Sequence, residues 1–190
     1  MGWASYIYIK TNDIDLLISK IKNYYVVGQI VVESEPNNWM FLRSDGPRTF
    51  IVNCNYSTEW TQLDFPLENR YEFDEMFRRI SLELSTVVLL GYYNSIDGSF
   101  RFAVIDKGKL VRSICISSLS SGELRLIDNF GSAFPFEKIQ FEVPFTRDLP
   151  VSIRLDYEDL HDWFSKLGYK GEAILKDNKY YHLEILNFRG

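Results

Sequence analysis

The sequence lacks the short motifs that mark several common enzyme classes. Neither GxxxxGK(S/T) nor GxGxxG occurs, so two glycine-rich loops that bind phosphates are absent. The GxSxG turn that carries a nucleophilic serine in many hydrolases is absent too. CxxC and HExxH are also missing, and zinc sites depend mainly on Cys and His ligands at such spacings. We therefore predict no catalytic residues of these classes, no metal site and no cofactor.

Cysteine and long apolar runs are scarce as well. Cys54 and Cys115 lie far apart in strand-like runs, and we interpret them as reduced, buried thiols. A disulfide between them would need a close approach of the two strands. No apolar run approaches the roughly 20 residues of a membrane helix. The first ten residues lack the basic and apolar regions of a signal peptide. We expect a cytoplasmic protein without a membrane partner.

Basic residues are fewer than acidic residues. The 26 Asp and Glu residues outnumber the 21 Lys and Arg residues, and the formal net charge is -5. Phosphate backbones repel an acidic protein, so we predict no nucleic-acid partner. An acidic surface instead suits a basic protein, whose approach it would steer.

Aromatic residues, in contrast, are abundant. There are 14 Phe, 12 Tyr and 4 Trp, and hydrophobic residues make up 46% of the chain. This composition indicates an ordered, well-packed chain, and 190 residues are enough for a sizeable core. We predict a single compact domain over residues 1–190. Possible sub-units are 1–56 and 73–140, with a C-terminal helix-hairpin at 156–187.

Apolar residues at helical spacing predict three helices. The first spans residues 14–24, and the second follows a cap at Asp74 and spans 75–85. The third begins at Asp156 and ends at Gly168, because glycine tolerates the left-handed conformation that stops a helix. Strand-like runs do not alternate strictly with these helices. We therefore predict an α+β fold with one or more antiparallel sheets.

The first two helices each precede a set of strand-like runs. Three runs up to residue 56 are typical of an antiparallel meander, with turns at 35–38 and 44–47. The second set contains a tight hairpin turn at Lys107–Gly108. We consider the two segments as similar helix-plus-meander halves. A last hairpin is predicted around residues 176–179.

The third helix carries a dense set of acidic residues. One interpretation is a solvated helix face whose first-turn carboxylates are favoured by the helix dipole. The other is a contact surface for a basic partner, with exposed aromatic residues such as Trp39, Trp60 or Tyr157 as anchors. The candidate partner-binding residues are Asp156, Tyr157, Glu158, Asp159 and Asp162.

The two histidines allow a catalytic hypothesis. His161 has acidic neighbours on both sides and is either a solvated helix residue or a general base oriented by a carboxylate. His182 lies in a C-terminal strand, where it is either a sheet residue or part of the same site.

The run GKLVRSICIS, residues 108–117, sets a charge on an apolar strand. Leu110, Ile114 and Ile116 alternate onto one face, and Arg112 lies among them. The hairpin turn would set the small Ala103 opposite Arg112 and leave room for the guanidinium. Both faces of these strands are apolar, which predicts a sheet covered on both sides.

A buried arginine must be paired and hydrogen-bonded. A carboxylate is the natural partner, because it accepts two parallel bonds from the planar guanidinium. Glu137 is the candidate, since the apolar residues 134–136 would hold its segment against the sheet. We predict a structural Arg112–Glu137 ion pair, with a ligand-binding arginine as the alternative.

Part of the chain resembles a known group of proteins. The stretch from about residue 75 to 140 is similar to small uncharacterised bacterial proteins, some of them grouped with immunity proteins of polymorphic toxin systems. The resemblance implies a non-catalytic α+β binding domain that neutralises a toxin, and it assigns no toxin-contacting residue. The matching residues are Leu84, Ser85, Gly108, Lys109, Leu110, Val111, Arg112, Gly131, Phe134, Pro135, Phe136 and Glu137.

Two classes of function remain open at this point. The first is a non-catalytic cytoplasmic binding protein of the immunity type, whose partner is a basic toxin domain. The alternative is a small enzyme or a ligand-binding regulatory domain with an unrecognised site. A cleft that contains both histidines and Arg112 would favour the alternative.

Overall fold

The computed structural model describes residues 3–33, 48–53, 59–64, 72–138, 149–169 and 179–188. Within these ranges the chain forms three helices and ten strands, which confirms the predicted α+β class. The helices are α1 (Ile14–Tyr24), α2 (Glu72–Glu83) and α3 (Tyr157–Lys166). The strands are β1 (Trp3–Ile9), β2 (Tyr25–Glu33), β3 (Arg48–Asn53), β4 (Thr61–Asp64), β5 (Val87–Asn94), β6 (Phe100–Asp106), β7 (Lys109–Ser118), β8 (Leu124–Phe130), β9 (Leu149–Pro150) and β10 (Tyr180–Phe188).

All ten strands belong to one sheet in which neighbours run antiparallel. The strand order is β2-β10-β3-β4-β1-β5-β6-β7-β8-β9. Strands β5 to β8 are neighbours in sequence as well as in space, so this half is a meander built from local pairings.

The other half of the sheet corrects two expectations. Strand β10 lies between β2 and β3, so the predicted meander of the first 56 residues is wrong. The same pairing uses both hydrogen-bonding edges of β10, which therefore pairs with β2 and β3 instead of a hairpin partner. The predicted run and turns within 34–47, and most of the hairpin turn at 176–179, lie outside the described residues. The likeness of the two halves stays a prediction.

Helices cover both faces of the sheet, as the apolar strands predict. Strand β5 shows the division, because Val88 and Leu90 pack with α1 and α2 whereas Leu89 packs with α3. The α3 side of the core is rich in aromatic rings, with Trp163 and Phe164 fully buried. Two cores therefore share one sheet.

Local sequence signals set the ends of α3. The Asp156 carboxylate accepts hydrogen bonds from the backbone N–H groups of Glu158 (2.9 Å) and Asp159 (3.1 Å). In return the Asp159 carboxylate accepts from the N–H of Asp156 at 3.0 Å, which completes a capping box. Gly168 follows the helix with φ +94°, as predicted for the residue that stops it.

The start of α2 differs from the prediction. The helix begins at Glu72, so Asp74 lies within its first turn and is not the residue before it. The Asp74 carboxylate instead forms an ion pair with Arg101 of β6, a side chain that is itself buried. A buried guanidinium needs a carboxylate partner, and this need determines where Asp74 lies.

The β6–β7 hairpin has the predicted turn but a different register. Lys107 and Gly108 both have positive φ, as a tight two-residue turn requires. A bulge at Val111 then sets Arg112 opposite Val104, so the expected pairing with Ala103 is wrong. The extra residue also moves Leu110 to the α1–α2 face, whereas Ile114 stays on the α3 face.

Gly131 explains why the chain accommodates this bulge. A Cβ atom at this position would lie 2.0 Å from the carbonyl oxygen of Val111, closer than atoms can approach. Gly131 also has φ +79°, a conformation that side chains disfavour. Only glycine lets the chain after β8 pass this close to the bulged strand.

Candidate functional site

Arg112 lies on the α3 face of the sheet, where it is 1% exposed. Its Nε and Nη2 donate to Oε1 and Oε2 of Glu137 at 2.8 and 2.7 Å. The Glu137 side chain is fully buried, so this is a bidentate ion pair inside the protein. The structure therefore contains the Arg112–Glu137 pair that the sequence predicts.

The remaining nitrogen of the guanidinium is also engaged. Nη1 of Arg112 donates to the side-chain oxygen of Asn129 at 2.6 Å and to the carbonyl oxygen of Phe130 at 2.8 Å. Oε1 of Glu137 accepts a further bond from the N–H of Phe134 at 3.0 Å. Because every guanidinium nitrogen has a protein acceptor, Arg112 acts as a brace and not as a ligand-binding group.

This ion pair fixes the segment 134–138 between the sheet and α3. The rings of Phe134 and Phe136 stack with their centroids 5.1 Å apart, and Phe136 contacts Trp163 of α3. One residue beyond Glu137, the ammonium group of Lys138 lies 2.5 Å from Oδ1 of Asp159. The segment thus joins α3 to the sheet by a buried ion pair, two stacked rings and a second ion pair.

The acidic residues of α3 separate into exposed and buried members. Asp159 is only 3% exposed, because its carboxylate belongs to the capping box and to the pair with Lys138. Its prediction as a surface contact is therefore wrong for the protein as the structure shows it. The others are exposed, and we call them the α3 patch: Asp156, Tyr157, Glu158 and Asp162.

The charges of the α3 patch are not equally available. Asp156 caps the helix, and Asp162 pairs with Lys166 at 2.7 Å. Glu158 forms no ion pair with any described residue, so it is the carboxylate of the patch most open to a partner.

Ring contacts connect the α3 patch to strand β1. Tyr157 is 48% exposed and meets the ring of His161 edge-on at 5.5 Å. His161 in turn meets Tyr6 of β1 at 4.9 Å. Tyr157 is therefore an aromatic side chain that is half open to solvent yet held in place. Trp60 is buried, which corrects its prediction as an exposed anchor, and Trp39 lies outside the described residues.

The structure tests only the His161 part of the catalytic hypothesis. His161 is half-buried, and desolvation lowers its pKa below the usual value. Its contacts among the described residues are aromatic rings, with no carboxylate to orient it. His161 contacts Tyr6 of β1, whereas the backbone of His182 lies in β10. These two strands are three positions apart in the sheet, which separates them by roughly 14 Å. The His182 side chain is outside what the structure describes.

A second polar cluster lies on the opposite face, beneath α2. There Arg101 pairs with Asp74, and the hydroxyl of Ser113 donates to Asp128 at 2.5 Å. Burial raises the pKa of Asp74, and the charge of Asp128 raises it further, although Arg101 opposes both effects. The alternation of FRFAVID already turns Arg101 away from its Phe neighbours, so the sequence contains a signal for this cluster.

Several negative findings apply to the described ranges. They contain no group of three or more His, Cys, Asp or Glu side chains arranged to hold a metal ion. Cys115 is a buried thiol without a disulfide, and Cys54 lies outside them. No described helix has the length and apolar character needed to cross a bilayer.

Comparison with known proteins adds no relative. The chain matches no family model, no curated protein and no solved structure.

Proposed function

We propose that the protein is a non-catalytic binding protein of the immunity type, which neutralises a basic toxin domain in the cytoplasm. The α3 patch is the contact surface in this proposal. The observation that carries it is the position of Tyr157 and Glu158, a half-exposed aromatic ring beside an exposed carboxylate that forms no ion pair with the residues the structure describes. Aromatic anchors with charged neighbours are typical of protein interfaces.

The rigidity of α3 supports this role. The capping box fixes the first turn, and the buried Trp163 and Phe164 anchor the helix in the core. A preordered surface loses little conformational entropy when a partner binds, so more of its contact energy appears as affinity. The formal net charge of -5 further suits a basic partner, since opposite charges accelerate the encounter.

Two of the ionisable groups considered for catalysis contact other parts of the protein. The nitrogens of Arg112 are engaged by protein oxygens, and His161 contacts two tyrosine rings. This arrangement supports binding as the proposed activity.

A growth-rescue experiment tests the proposal. A basic toxin domain is first recovered with the wild-type chain by pulldown from the host cell. Cells that express this domain are then made to co-express the wild-type chain, Tyr157→Ala/Glu158→Lys or Asp15→Lys. Asp15 is a matched control, because it is the exposed acidic residue at the second position of α1, as Glu158 is in α3. We expect the wild type and Asp15→Lys to restore growth and the double variant to fail while remaining folded. Equal rescue by all three chains would contradict the proposal.

A further inference from the structure

The Lys138–Asp159 ion pair joins an exposed side chain to a buried one. The side chain of Lys138 is 68% exposed, whereas that of Asp159 is 4% exposed. One Asp159 oxygen accepts from the N–H of Asp156 in the capping box. The other, Oδ1, lies 2.5 Å from the Lys138 ammonium group. The buried carboxylate thus depends on a cation that reaches it from solvent.

This ammonium group lies among the carboxylates of α3. Its hydrogen bond and charge interaction with Asp159 raise the pKa of Lys138, and the charges of Asp156 and Asp162 add to the effect. The short distance and the burial of Asp159 define a small site that already contains a cation. Its lining also belongs to the proposed contact surface, because Asp156 and Asp162 are members of the α3 patch.

Loss of the ion pair has a different free-energy cost for Lys138 than for Asp159. An exposed lysine returns to water easily, and exposed ion pairs contribute little to stability. A buried carboxylate that loses its cation is strongly disfavoured. Lys138 can therefore leave at low cost only when another cation replaces it at Asp159.

We propose that Lys138 occupies the position of a partner's basic side chain, and that an arginine or lysine of the partner displaces it on binding. Asp159 becomes a direct contact only through this exchange. The inference rests on the proposed function, because it names the chemistry that the α3 patch recognises. A basic partner must therefore bind Asp159 more favourably than Lys138 does in order to displace it.

The direct test measures the reactivity of Lys138. The wild-type protein is treated with an amine-acetylating reagent, with and without N-acetyl-hexaarginine amide, a probe that contains no amine. Mass spectrometry follows acetylation of Lys138 and, as an internal reference, of the exposed Lys107 in the β6–β7 turn. We expect the probe to accelerate acetylation of Lys138 about two- to fivefold and to leave acetylation of Lys107 unchanged. This factor corresponds to the small free energy by which an exposed ion pair holds a lysine. An unchanged or slower reaction at Lys138 would overturn the displacement.

Two variants give an independent measurement with the same probe. Lys138→Met and Lys107→Met each remove one positive charge, so they match in net charge. Lys138→Met should bind the probe about two- to fivefold more tightly than Lys107→Met. Adding Asp159→Asn to Lys138→Met should abolish the gain, with circular dichroism to check the fold. Equal or weaker binding by Lys138→Met would refute the inference.

The outcomes also separate this inference from the proposed function. If Glu158→Lys weakens probe binding but Lys138 reactivity does not respond, the contact surface stands and the displacement fails. If Glu158→Lys leaves probe binding unchanged while Lys138 responds, the α3 patch as defined is wrong.

Discussion

The loss of Arg112 should be among the most damaging single changes to the fold. Within the part of the chain that the structure describes, Arg112→Ala leaves Glu137 with the N–H bond from Phe134 alone and leaves Asn129 Oδ1 without its donor. Because both charged side chains are almost completely buried, we expect the free energy of unfolding to fall by about 3–5 kcal/mol. The exposed ion pair of Lys166 and Asp162 provides a comparison. Lys166→Ala, which breaks it, should lower the free energy of unfolding by no more than about 1 kcal/mol.

Urea unfolding followed by tryptophan fluorescence provides the measurement, since Trp60 and Trp163 are buried in the native state. A double-mutant cycle with Glu137→Ala separates the pair from other losses: the double variant should be much less destabilised than the sum of the two single variants. A loss below about 1 kcal/mol for Arg112→Ala, with an unchanged urea dependence, would refute the brace interpretation.

Three further predictions concern other parts of the chain. Gly131→Ala should destabilise by at least about 2 kcal/mol in urea, well beyond Gly122→Ala, which has a similar φ but nothing within 4 Å of its Cβ. Asp156→Ala should lose about 1 kcal/mol, seen as a lower Tm, because the cap of α3 is removed. Burial lowers the pKa of His161, so the folded state favours the neutral ring. The corresponding stability is fully present above pH 6.5, the pKa of an unperturbed histidine, and is lost as pH falls from there through the lower pKa of the folded state. The urea midpoint of His161→Gln should therefore depend less on pH, between pH 8 and 5, than that of the wild type. Equal pH dependences of the two proteins would contradict this.

Features set by neighbouring residues were predictable from the sequence. The turn at Lys107–Gly108 and the two ends of α3 depend on a few adjacent side chains, and the structure has them as expected. The Arg112–Glu137 pair was predictable for a different reason. A charge among apolar residues requires a partner, and one carboxylate lay in a segment that aromatic residues would hold against the sheet.

Features set by distant residues were not predictable. The bulge at Val111 depends on the close approach of Gly131, and the insertion of β10 depends on pairings across the whole chain. The burial of Asp159 follows from the position of the segment that carries Lys138. The acidic residues of α3 therefore include a buried partner of Lys138 and several exposed carboxylates, which the sequence alone does not distinguish.

In the proposed function, Glu158 and its neighbours on α3 bind a basic protein partner. Titration calorimetry of the purified toxin domain against the wild type, Glu158→Lys and Asp15→Lys tests it most directly. We predict that Glu158→Lys weakens binding at least about tenfold, since like charges at an interface are strongly disfavoured, and that Asp15→Lys matches the wild type. Equal affinities for the two variants would contradict the claim.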